Sequence, residues 1–102
     1  MSEDLFSFVA DHLELRTPLD RLESRGTLRL VLKQAGLEAK RVSREQFCVI
    51  LESLVPRELE IRGVTEAQAV CAALTEKIQA EPADRWEAAR DVDGIFERLA
   101  GN

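Results

Sequence analysis

Apolar residues recur along most of this chain at intervals of three and four, the spacing that gathers side chains on one side of an α-helix. Leu5, Phe8, Val9, His12 and Leu13 form the first such stripe and predict an amphipathic helix, with Ser2 ahead of Glu3 and Asp4 as its cap. Thr17 and Pro18 then read as the N-cap and first position of a second helix, with Asp20 at its positive end. Gly26 interrupts that pattern at a cost of about 1 kcal/mol relative to Ala, so residues 18–35 form either one helix with a weak point or two short ones. Gly36 followed by Leu37 predicts a left-handed cap that ends it.

The strongest boundary signal is Ser43 with Gln46 three residues on, a capping box that Val42 and Phe47 can staple from outside. The helix it opens, Arg44 to about Val55, is apolar at Phe47, Cys48, Val49, Ile50, Leu51, Leu54 and Val55. That is too many for one stripe, and it predicts a central helix buried on more than one side. Pro56 can start a short helix through Ile61 that Gly63 terminates. Val64 to Gln68 repeats the staple-and-box signature and predicts a helix from Glu66 to about Gln79, with Ala67, Val70, Cys71, Leu74 and Ile78 on one face. After Pro82, Trp86, Ala89, Val92, Phe96 and Leu99 keep a near-helical spacing, which Asp93-Gly94 can bend.

No period-two alternation long enough for a sheet occurs, and the two capping boxes do not open matching segments, so no repeat is assigned. The expectation is a single all-α domain over residues 1–102, a compact bundle of five or six short helices. A chain of 102 residues has room for one core, and with 5% aromatic residues and no Tyr that core is mostly aliphatic. The same scarcity of rings argues against a stacking platform for single-stranded nucleic acid.

The N-terminus lacks the basic region of a secretory signal, and the longest apolar run is Ala69 to Leu74, far short of a membrane span. Cys48 and Cys71 lie on apolar helical faces, where a free thiol acts as a small buried hydrophobe. Together these features lead to the expectation of a cytoplasmic protein with reduced thiols.

Chemistry-bearing constellations are sparse. Residues 28–54 resemble an EF-hand in outline, but aligning Val42 and Gln46 with the loop pattern puts Ala35, Leu37 and Ala39 at the ligand positions, and none offers a side-chain oxygen. Asp91-Val92-Asp93-Gly94 lacks the further oxygens of a calcium loop, and one His with two Cys twenty-three residues apart does not make a zinc site. His12, the sole imidazole, sits in the apolar stripe of the first helix and reads as a core-edge residue, a potential pH-sensitive contact rather than a base. The expectation is therefore no catalytic centre, no metal and no cofactor.

Charge changes the picture more. The net charge of -5 conceals a middle block, residues 16–44, with eight bases against three acids, while residues 45–102 carry six bases against twelve acids. Arg21, Arg25, Arg29 and Lys33 recur every fourth residue and make a basic ridge on a continuous helix, with Lys40, Arg41 and Arg44 close behind. These seven residues are the candidate partner-binding set, against the plain alternative of a solvated or self-paired face. A small interaction or adaptor module binding a partner protein, or itself as a homodimer, fits this inventory best. The alternative is a nucleic-acid-binding module that uses the ridge on phosphates, disfavoured by the acidic total and a seven-residue loop too long for a helix-turn-helix. Charge reversal at Arg25 and Arg29 together is expected to leave the fold intact, and the wide apolar arcs of residues 28–35 and of the helix after Ser43 suggest surface that a second copy covers.

Overall fold

The computed structural model describes residues 4–82, 85 and 86. These form five helices and no strand: α1 (Leu5–Arg16), α2 (Arg21–Gln34), α3 (Arg44–Ser53), α4 (Val55–Ile61) and α5 (Ala67–Ala80). The proposed helix beyond Pro82, and the Asp91–Gly94 segment, lie outside the described residues apart from Trp86.

Each helix start is decided by local capping chemistry. Helix α1 is capped by Asp4, not by Ser2: the Asp4 carboxylate accepts from the Ser7 amide at 2.8 Å and places charge at the positive helix end. Helix α2 begins at Arg21 rather than Pro18, because Asp20 and Glu23 complete a full capping box, at 2.7 Å and 3.2 Å, that Thr17 and Pro18 cannot match. Thr17 instead closes α1, its hydroxyl donating to the Leu13 carbonyl at 2.8 Å. Ser43 and Gln46 form the box expected of them, at 2.9 Å and 3.0 Å, with Val42 and Phe47 both buried beside it. The second expected box does not form: Glu66 takes a left-handed φ of 56°, so α5 starts one residue past the Thr65 register and no side chain caps it.

Two of the helix ends are glycine caps of one type. Gly36 (φ 74°) and Gly63 (φ 82°) let the following amides of Leu37 and Val64 reach back to the Leu32 and Leu59 carbonyls, at 2.8 Å and 2.9 Å. Gly26 breaks nothing; α2 runs through it as one helix, which resolves the alternative left open by the sequence.

Helix α1 packs on α2 and α5, α3 on α4 and α5, and α4 on α2 and α5. The centre is thus shared by α4, which meets α2, α3 and α5, and α5, which meets α1, α3 and α4, whereas α3, read as central from its sequence, packs on these two. Helix α3 buries Phe47, Ile50 and Leu51 on one side while Val49 is 61% exposed, so it is amphipathic rather than apolar all round. In α2, Leu28, Val31 and Leu32 are buried and Leu30 is at the boundary. One side of each apolar arc is therefore covered inside the chain, while Leu30 and Val49 are left exposed. Trp86 is buried beside α1, its ring meeting Phe8 edge-on with centroids 5.1 Å apart.

Candidate interaction surface

The seven bases singled out by charge divide into two groups once the helices are packed. Arg25 and Arg29 lie one turn apart on α2 with their guanidinium carbons 5.2 Å and 5.4 Å from the centre of the Phe6 ring on α1. Two cations over one aromatic face roof a ring that would otherwise meet water, and Phe6 is buried. Arg25 also donates to the Ser7 hydroxyl at 3.4 Å. Arg44, at the start of α3, donates at 3.0 Å to the Ile78 carbonyl near the end of α5, which also accepts from the Glu81 amide at 3.2 Å, and so sets a cation at the negative helix end. Its guanidinium also faces the Trp86 ring at 5.9 Å. These three arginines tie elements of the chain together, Arg25 and Arg44 half-buried and Arg29 still exposed.

Arg41 pairs with Glu38 at 3.6 Å in a fully solvated contact that constrains little. Arg21, Lys33 and Lys40 are exposed and have no ion pair among the described residues. Lys33 and Lys40 flank the turn at Gly36, whereas Arg21 sits at the opposite end of α2. The ridge is real as a row on one helix, but its available charge gathers at its C-terminal end and in the loop that follows.

Beside that end the surface is concave. A cavity of about 380 Å³ opens between the α2–α3 loop and α3, walled by Ala35, Leu37, Val49, Ile50 and Leu54 with Glu45, Gln46 and Ser53 at its edges. A second, of about 300 Å³, shares Leu37 and carries Arg29 and Lys33 on its wall. Leu37 is thus the hinge point of a continuous apolar and basic relief. Sequence reasoning placed Val49 in the core and missed this groove. The signal was present, since Glu45, Gln46, Glu52 and Ser53 stand three and four residues from Val49 and mark its face as the solvated one.

Groups able to do chemistry are not assembled anywhere in the described residues. No cluster of three or more His, Cys, Asp or Glu side chains could hold a metal ion there. Burial pushes the Cys71 thiol up to about 12, and burial likewise raises Cys48, so neither is an activated nucleophile. His12 is half-buried with its ring 4.5 Å from that of Phe8, and desolvation followed by Lys77 and Arg16 holds it below the usual imidazole range. A recess of about 470 Å³ between α3, α4 and α5 is lined by Leu51, Pro56 and Ala72 with Glu52, Gln68, Thr75 and Glu76, and among the described residues it holds no His, Cys, Lys or Arg. No helix among the described residues is long and apolar enough to cross a membrane. No protein family, curated protein or solved structure matches the chain.

Proposed function

We propose that this chain is a non-enzymatic helical interaction module of the cytoplasm, and that it recognises a partner protein through the C-terminal end of α2 and the loop that follows. The observation that carries this reading is Lys33, exposed, without an ion pair among the described residues and on the wall of a recess that shares Leu37 with an apolar groove, with Lys40, likewise exposed and unpaired there, directly following the recess residue Ala39. Unneutralised charge next to desolvable surface is what a recognition site needs, the first for orientation and on-rate and the second for affinity. The two free thiols agree with a reducing compartment. A second copy of the chain is the special case of the same reading in which the partner is itself.

Nucleic acid is the weaker reading. A recognition helix for the major groove would have to be α3, and the solvated face of α3 presents the carboxylates of Glu45 and Glu52, which repel phosphate, on either side of the uncharged Val49. The test is affinity capture from host extract with the wild-type chain and with the Lys33→Glu, Lys40→Glu double variant, alongside titration of the wild type with random duplex DNA. Loss of a discrete captured protein on charge reversal supports the proposal. Capture indifferent to the reversal, or micromolar duplex binding with a steep salt slope, overturns it.

A further inference from the structure

We infer that the groove walled by Leu37, Val49 and Leu54 docks an amphipathic helix of the partner that carries acidic residues along one flank. The inference rests on the interaction reading above and names what enters the site. Val49 is a branched apolar side chain left 61% exposed on a helix face that is otherwise polar. A single exposed Val is unremarkable on a convex surface. This one forms the wall of a concavity of about 380 Å³, which a rounded apolar side chain can fill and a flat surface cannot.

The walls decide the shape of the occupant. They are two helix segments and a capped turn, and no strand edge is available among the described residues, so an extended peptide would find no ladder to join. A helix offers instead two or three apolar side chains at spacings of three and four, and satisfies its own backbone while it lies in the groove. Charge decides its chemistry. On the α2 side the adjoining recess carries Arg29, Lys33 and Glu38, with Lys40 directly following its residue Ala39; Lys33 and Lys40 have no ion pair among the described residues, and Glu45 stands at the far edge of the groove. An occupant with acids toward α2 and a base toward α3 meets both, whereas a basic flank would meet two like charges. The chain's net charge of -5 repels such an acidic helix from the rest of the surface and leaves this basic corner as the point of entry.

The probe is a labelled peptide of about sixteen residues, long enough to hold helix, with Leu at helical spacing and Glu on one flank. A counterpart carries Lys in place of each Glu, and binding to the full chain is read by fluorescence anisotropy at low and high salt. The acidic peptide is expected to bind about tenfold or more tightly than the basic one, a difference of about 1.4 kcal/mol. Val49→Glu and the milder Val49→Ser should each weaken it severalfold, Lys33→Glu with Lys40→Glu should weaken it and flatten its salt dependence, and Glu76→Lys, in the recess across α3, should leave it unchanged. No binding of the acidic peptide, equal affinity of the two peptides, or indifference to both Val49 variants overturns the inference. So does sedimentation showing a wild-type dimer that Val49→Glu dissociates, because the groove would then belong to a second copy. If the captured partner still depends on Lys33 and Lys40 while the peptide ignores Val49, the docking mode fails and the interaction reading stands.

Discussion

The guanidinium of Arg25 lies 5.2 Å above the ring of Phe6, and that relationship turns part of an apparent binding ridge into a packing element. Arg29 adds a second cation over the same ring at 5.4 Å. Replacing either arginine by Ala should cost about 0.5–1 kcal/mol, and replacing both should cost more than the sum because Phe6 then faces water. Arg21→Ala is the control. It removes a cation from the positive end of α2 and should change stability by only a few tenths of a kcal/mol, in the favourable direction. Denaturant midpoints measure all four proteins. Stability unchanged in the double variant would refute the packing role, and the expectation from charge alone, that Arg25 and Arg29 are dispensable to the fold, would be restored.

Gly26 and Gly36 should respond in opposite directions to the same substitution. Gly26 is exposed, lies inside a continuous helix, and a Cβ built on it meets nothing within 4 Å. Gly26→Ala should therefore stabilise by about 0.5–1 kcal/mol, mostly by narrowing the unfolded ensemble. Gly36 also has open space around it, but its φ of 74° belongs to the left-handed region. Gly36→Ala should destabilise by about 1–2 kcal/mol. Thermal melts distinguish the pair readily, since about 1 kcal/mol moves the midpoint of a domain this size by about 4–8 °C.

Acid should weaken the fold through His12. Desolvation is the largest cause of its lowered pKa, followed by Lys77 and Arg16, with Asp11 and Glu81 opposing. A histidine whose folded value lies below its unfolded value of 6.5 binds fewer protons when folded. Its contribution is present in full above pH 6.5 and is lost as the pH falls through the folded value. Urea midpoints from pH 7.5 down to pH 5 should fall less steeply in His12→Gln than in the wild type. An identical slope in the two proteins would show that the carboxylates alone carry the acid response.

The boundaries show what a sequence can and cannot disclose. Ser43 and Gln46 were legible because a capping box closes over three residues and needs nothing from the rest of the fold. Thr65 and Gln68 carry the same signature and form no box, since the left-handed turn at Glu66 shifts the helix start by one residue. Ser43→Ala should accordingly cost about 1 kcal/mol, while Thr65→Ala should stay within a few tenths. Equal losses at the two sites would mean that Thr65 caps α5 in solution. The all-helical architecture was legible for the same reason as Ser43, from local spacing. The roofing of Phe6 and the tie from Arg44 to Ile78 were not, because each depends on which helices meet. Val49 lay between: its polar neighbours marked it as exposed, but only the packed loop at Leu37 made its surroundings concave.

Two buried hydroxyls should be better removed than kept. The Ser24 and Thr75 side chains are almost wholly enclosed, and neither hydroxyl has a hydrogen-bond partner among the described residues. Burying a hydroxyl without a partner costs about 1–3 kcal/mol on the scale set by protein substitutions. Ser24→Ala removes that cost, adds helix propensity, and leaves a void of only one oxygen. Thr75→Val replaces the hydroxyl by a methyl of similar shape and keeps the β-branch. Both should be neutral to stabilising by about 1 kcal/mol. Thr27 provides the contrast within the same helix as Ser24: equally buried, it donates to the Glu23 carbonyl at 2.7 Å. Thr27→Val should therefore cost about 0.5–1.5 kcal/mol, the net worth of one intramolecular hydrogen bond. Urea denaturation at constant m-value ranks the three directly. If Ser24→Ala and Thr75→Val both lose as much as Thr27→Val, those hydroxyls are bonded in the folded protein and the distinction drawn between them and Thr27 is wrong.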